Sequence, residues 1–154
     1  MITPSSRPLR ADARRNRDLI VEAARAAFAS KGVDAPLEEI AKTVGVGQGT
    51  LYRHFPTRED LIAAAIQDDV DQLVRNSEKY AQGRDPFDAL AAWLREIAMF
   101  SRTYSGLPNR VLDASAGKSG SFAVVCGSLE SLTDRILVRA KEADQIRANV
   151  TAED

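Results

Sequence analysis

Gln48, Thr50, Tyr52, Arg53 and His54 fall within seven consecutive positions, and all five carry hydrogen-bonding side chains. Together they suit recognition of a polyanion with readable edges. A Gln amide can make a bidentate contact to adenine, and a Thr offers a methyl to thymine or a hydroxyl to phosphate. Tyr52 and His54 suit phosphate oxygens better than base edges. Arg53 could read guanine or stand solvated, and the sequence leaves both open. Gly49 either lets a backbone approach its partner closely or serves a tight turn. A lone histidine is more commonly a structural or surface group than a catalytic one, but the neighbours of His54 favour phosphate.

Other chemistry is poorly provided for. His54 and Cys126 are the only residues of their types. That excludes Ser-His-Asp or Cys-His arrangements elsewhere, and any Cys/His zinc cluster. Gly117-Lys118-Ser119 looks like the end of a phosphate-binding loop. The first glycine of that motif would fall on Leu112, and no strand precedes it. Asp68, Asp69 and Asp71 read as a solvated helix face. The chain points to no enzyme, no metal and no cofactor.

The elements that must carry these residues follow from apolar spacing. Ile40, Ala41 and Val44 share a helical face, Gly45 can end that helix in a left-handed conformation, and Val46, Leu51 and Phe55 resume the pattern. Two helices around a short glycine turn form a helix-turn-helix. Leu19, Ile20, Ala23, Ala24, Ala27 and Phe28 predict a helix before it, starting at Ala11 or Ala13 and ending at Lys31-Gly32. Pro36 stands near the first position of the second helix. Thr57 and Asp60 form a capping box with Asp in place of Glu, opening a helix from Arg58 to about Ala81. Asp85-Pro86 opens another, which Gly106-Leu107-Pro108 breaks. A short helix from Asn109 to about Ala116 follows. A last long helix runs to about Ala143, with Ser121 as cap and Val125, Leu129, Leu132, Ile136 and Ala140 inward. No segment alternates with period two, so the fold class is all-α, with about seven helices.

At 154 residues and 44% hydrophobic content the chain can bury a substantial core. Net charge is −1, yet residues 1–31 hold seven basic and three acidic groups, net +4. A charge run is usually a solvated face; beside the helix-turn-helix it also suits phosphate. No apolar run approaches the ~18 residues of a spanning helix, and no signal-peptide core is present. A lone cysteine forms no intramolecular disulfide. The reading is a cytoplasmic protein without a membrane partner.

The run GVGQGTLYRHFPTREDLIAAAI, with AARAAFASKGVDAPLEEIA before it, resembles the DNA-binding domain of TetR-like (tetracycline-repressor-like) transcriptional regulators. Gly49-Thr50-Leu51-Tyr52, His54-Phe55 and Arg58 carry the likeness, which covers roughly residues 14–66. The resemblance implies a basic arm over 1–13, a three-helix DNA-binding domain over 14–56, and a helical effector-binding and dimerisation domain over 57–154. It assigns DNA contact to Gln48, Gly49, Thr50, Tyr52, Arg53, His54 and Arg58, the last on phosphate. Many members place Thr or Ser where this chain has Pro36, so that contact is lost or moved.

The resemblance further implies a homodimer on a palindromic double-stranded operator, acting as a repressor released by a small-molecule effector of unknown identity. Phe87, Trp93, Ile97, Met99, Phe100, Tyr104, Leu107, Phe122 and Cys126 could line the effector site, with Arg95, Ser101, Arg102 and Arg110 as polar neighbours. Such an aromatic and Met stripe is equally a plain core. Thr151 to Asp154 reads as a helix start, and the family's last two pairing helices look missing after it. A truncated chain would leave Val125, Leu129 or Leu132 partly uncovered. The competing reading is a helical ligand-binding or protein-interaction module that has lost operator binding.

Overall fold

The computed structural model describes residues 7–81, 85–110 and 120–152. They form α1 (Arg7–Lys31), α2 (Leu37–Thr43), α3 (Gln48–His54), α4 (Arg58–Ala81), α5 (Pro86–Thr103) and α6 (Ser121–Glu142). A further helical turn covers 107–110, and the described residues contain no strand.

Local chemistry explains most boundaries. Thr57 and Asp60 cap one another: the Asp60 amide donates to Thr57 Oγ1 at 3.1 Å and the Thr57 amide to Asp60 Oδ2 at 3.2 Å. Asp85 Oδ1 accepts the Phe87 amide at 3.0 Å, with Pro86 at the first helical position. Gly32 and Gly45 follow the ends of α1 and α2 with φ of +84° and +71°. Other boundaries differ from expectation. α1 is already helical at Arg7, ahead of the expected start at Ala11 or Ala13. Pro36 caps α2 from just outside it, and its carbonyl accepts the Glu39 amide at 3.1 Å. Leu107 and Pro108 begin a helical turn rather than merely break one. Ser121 is the first residue of α6, and Gly120 stands at its cap with φ +105°. The expected helix over 111–116 and the loop over 117–119 lie outside the described residues.

One core cluster joins Ile20, Ala24 and Phe28 of α1 to Ile40, Leu51, Phe55, Leu61, Ile62 and Ile66, and continues to Tyr104, Leu107, Phe122 and Val125. A second gathers Leu73, Leu90, Trp93, Leu132, Ile136, Leu137 and Ala140 where α4, α5 and α6 meet. Val125 and Leu132 are buried, Leu129 is partly uncovered as expected, and the exposed large apolar residues of α6 are Val124 and Val138. No helix among the described residues is long and apolar enough to cross a membrane.

Candidate nucleic-acid interface

Two side chains hold α3. Leu51 and Phe55 are buried against α1 and α4, and burying each contributes roughly 1.5–3 kcal/mol. Everything else on this seven-residue helix faces outward or sits at its edge. Gln48, Gly49, Tyr52 and Arg53 are exposed, while Thr50 and His54 are half-buried. Tyr52 is 48% exposed. Arg53 Nη2 donates to Thr50 Oγ1 at 2.9 Å, which lays the guanidinium along the outer face. His54 leans on Phe55 with ring centroids 6.4 Å apart.

Gly49 has no positive φ and lies inside α3, so the α2–α3 turn does not require it. A side chain there would meet nothing within 4 Å. Of its two sequence readings, close approach by a partner is the one this geometry leaves. Gly45 is the turn residue.

Arg58 has a task the sequence did not disclose. Its Nη1 donates to the carbonyls of Val33 at 3.0 Å and Ala35 at 2.6 Å. The guanidinium thus fastens the α1–α2 loop to α4 through Nη1, a structural role beside the phosphate contact expected of it. The same loop is gripped from the other half. The Val33 amide donates to the Ser105 carbonyl at 2.9 Å, and Arg110 pairs with Asp34 at 2.5 Å and Glu59 at 2.9 Å. The Arg110 bond holds the Asp34 carboxyl below its usual range. Arg110 is therefore engaged with the α1–α2 loop and the start of α4.

A second junction joins α1, α4 and α5. Arg25 and Tyr104 both donate to the Asp69 carboxylate. Asp69 is not a solvated acid, unlike its exposed neighbours Asp68 and Asp71. These partners are 44 and 35 residues from Asp69, too far apart for sequence spacing to reveal. Burial, then the bond to Asp69, pushes the Tyr104 phenol from 10.0 up to about 12. A folded value above the unfolded one gives stability that is full below the unfolded value and lost as pH rises through the folded one. The fold should therefore weaken between about pH 10 and about pH 12. Tyr104→Phe should remove that alkaline limb in urea titrations taken across this range. An unchanged limb would place its origin elsewhere.

The nine effector-site candidates do not form one lining. Trp93, Tyr104, Leu107 and Phe122 are buried core. Trp93 Nε1 donates to Thr133 Oγ1 at 3.0 Å, so its one polar group is already satisfied. Phe87 and Met99 are exposed, and Ile97, Phe100 and Cys126 are half-buried. Phe100 packs on both core clusters, and burial raises the Cys126 thiol above its ordinary value. An open cavity of about 520 Å³ lies elsewhere, lined by Asp144, Gln145, Ile146, Arg147 and Val150. No group of acids, His or Cys among the described residues could hold a metal.

Residues 20–65 match the family described as bacterial regulatory proteins, tetR family, and residues 85–154 match the transcriptional regulator SbtR-like C-terminal domain. HTH-type transcriptional regulators of Staphylococcus aureus, strain USA300 among them, are 45% identical over 67 residues, which is 43% of this chain. The matched stretch spans only 36% of those relatives. A TetR transcriptional regulator from Streptomyces coelicolor superposes with a TM-score of 0.52 and 34% identity, over 90% of this chain and 79% of that one. A TetR regulatory protein from Mycobacterium vanbaalenii aligns at 33% identity and a TM-score of 0.49, over 95% of this chain and 87% of that one. The two family matches and the likeness to the Streptomyces coelicolor regulator agree with the helix-turn-helix and the helical half behind it: the chain belongs to the TetR family of transcriptional regulators.

Proposed function

We propose that this chain is a sequence-specific double-stranded-DNA-binding regulator, a cytoplasmic repressor that works as a homodimer on a palindromic operator and leaves it when a small molecule binds the larger half. One observation carries the reading: α3 is anchored by Leu51 and Phe55 alone and turns Gln48, Gly49, Tyr52 and Arg53 to solvent. A short helix with an apolar inner edge and amide, hydroxyl and guanidinium groups outside is what a major groove accepts. Thr50 and His54 at its edges suit phosphate. The uncovered Val124 and Val138 on α6 support a subunit contact on that face. Ile97, Phe100 and Cys126, half-buried, and Phe87 and Met99, exposed, are the candidates an effector reaches without opening the core. The effector acts by favouring a spacing of the two recognition helices that no longer fits one DNA face.

Gln48→Ala should weaken operator binding by roughly 1–3 kcal/mol, concentrated at one base pair per half-site. Selection of bound sequences from a random pool, followed by titration of single-base variants, measures this. Unchanged sequence preference would remove Gln48 as base reader. Loss of all duplex binding by the unsubstituted protein would leave the interaction-module reading.

A further inference from the structure

Four acids among the described residues are half-buried: Glu59, Asp60, Asp69 and Glu96. Three of them have clear occupations. Glu59 pairs with Arg110, Asp69 pairs with Arg25, and Asp60 caps α4 through Thr57. Glu96, in the middle of α5, accepts only from neutral groups of α4. Asn76 Nδ2 donates to Oε1 at 3.0 Å and to Oε2 at 3.2 Å, and Tyr80 Oη donates to Oε1 at 2.5 Å. No Arg, Lys or His among the described residues forms an ion pair with it.

The main donor is itself held in place. Gln72 Nε2 donates to Asn76 Oδ1 at 2.9 Å, which turns the Asn76 amino group toward Glu96. Neutral donors aim a carboxylate and replace part of its water, but they leave its charge uncompensated. Oε1 takes two of the three contacts, so Oε2 keeps acceptor capacity. A partly buried anion of this kind selects a cation. Magnesium and calcium take about six or more oxygen ligands, and no group of three acids, His or Cys gathers among the described residues. The surroundings suit an organic cation instead. Ala92 and Phe100, four residues before and after Glu96, share its face of α5 and are half-buried, as is Tyr80. Aromatic faces attract a weakly hydrated cation. Asp88, Arg95 and Arg102, the other charged residues of α5, are all exposed, so its half-buried charge is negative.

We propose that Glu96, presented by Asn76 and Tyr80 in the seam between α4 and α5, recognises an organic ammonium whose apolar part lies on Phe100. The proposal deepens the effector reading by naming the charge of the small molecule, and it rests on that reading for the regulatory use of the site. Glu96 makes the charged contact, while Asn76 and Tyr80 are positioning residues that hold its carboxylate in one orientation.

The test titrates the full chain calorimetrically with phenethylammonium and benzyltrimethylammonium, and with neutral phenethyl alcohol and anionic hydrocinnamate. The two cations should bind roughly 10- to 100-fold more tightly than the other probes. E96Q keeps the shape of the carboxylate without its charge and should abolish that preference, whereas E96D should keep part of it. Melting of the helical signal confirms that both variants are folded. Cation binding that survives E96Q unchanged overturns the site. So do neutral or anionic probes that match the cations, and so does an absence of binding by every probe. The effector reading has its own readout, release of a bound duplex. Cations that bind through Glu96 and leave duplex binding unchanged keep the site and overturn its regulatory use. Release by phenethyl alcohol or hydrocinnamate, equal in E96Q, keeps the effector reading and overturns the role of Glu96.

Discussion

Trp93→Ala lowers the stability of the fold by about 3–5 kcal/mol, which is the usual cost of removing a large aromatic from a closed core. Trp93 is fully buried and sits among Leu90, Leu132, Ile136 and Ala140, where α5 meets α6. Deleting the indole leaves a void that three helices cannot close together, and leaves Thr133 Oγ1 without its donor. The expected result is a large fall in the urea midpoint with little change in its slope. Fluorescence offers a check without mutation. Trp93 is the only tryptophan, so emission of the native chain should be blue-shifted and poorly quenched by acrylamide. A loss below about 1 kcal/mol on truncation, or ready quenching, would return Trp93 to the wall of an accessible site.

Gly32→Ala should cost about 2–4 kcal/mol and lower Tm by roughly 5–15 °C. Two penalties coincide there. The backbone holds φ at +84°, where an L side chain is strained, and an added Cβ would lie 2.8 Å from the Ser105 carbonyl oxygen. That oxygen belongs to the backbone and accepts the Val33 amide, so it cannot swing aside without breaking the bond. Gly45 separates the two penalties, because its φ is +71° but nothing lies within 4 Å of its missing Cβ. Gly45→Ala should cost about 1 kcal/mol from strain alone, and Gly45→Val somewhat more. Equal losses at Gly32 and Gly45 in chemical denaturation would show that the approach to Ser105 is not what makes Gly32 necessary.

The sequence disclosed what depends on neighbours in the chain. Thr57 with Asp60, Asp85 before Pro86, and Gly45 after an apolar stripe each act within a few residues. The α2–α3 geometry was legible for that reason. It also displayed the outward residues of α3, because Leu51 and Phe55 fix which face turns in. Long-range pairing left no trace. Nothing in spacing ties Asp34 to Arg110, 76 residues away, or separates Asp69 from Asp68 and Asp71. Arg58 was recognisable as a well-placed cation, but a guanidinium binds a carbonyl as readily as a phosphate, and only three dimensions reveal which is near. The effector stripe could not be sorted from sequence for a related reason. Aromatic and Met side chains fill cores and line cavities alike, so Trp93 and Leu107 could not be told from Met99 until burial separated them.

The α1–α2 loop over residues 32–35 is shared property of the two halves of the molecule. Arg58 holds it from α4, while Ser105 and Arg110 hold it from beyond α5. It ends where α2 begins, so it sets the angle at which the helix-turn-helix leaves the body. The turn after α5 cannot shift without either tilting α2 or breaking a named bond. The relation also runs in reverse. Whatever pins α2 and α3 to a rigid surface narrows the positions open to Arg110, and by thermodynamic reciprocity the free energy is the same in both directions. The loop behaves as a gear tooth meshed on both sides, and its small residues, Gly32 and Ala35, are what let the teeth meet.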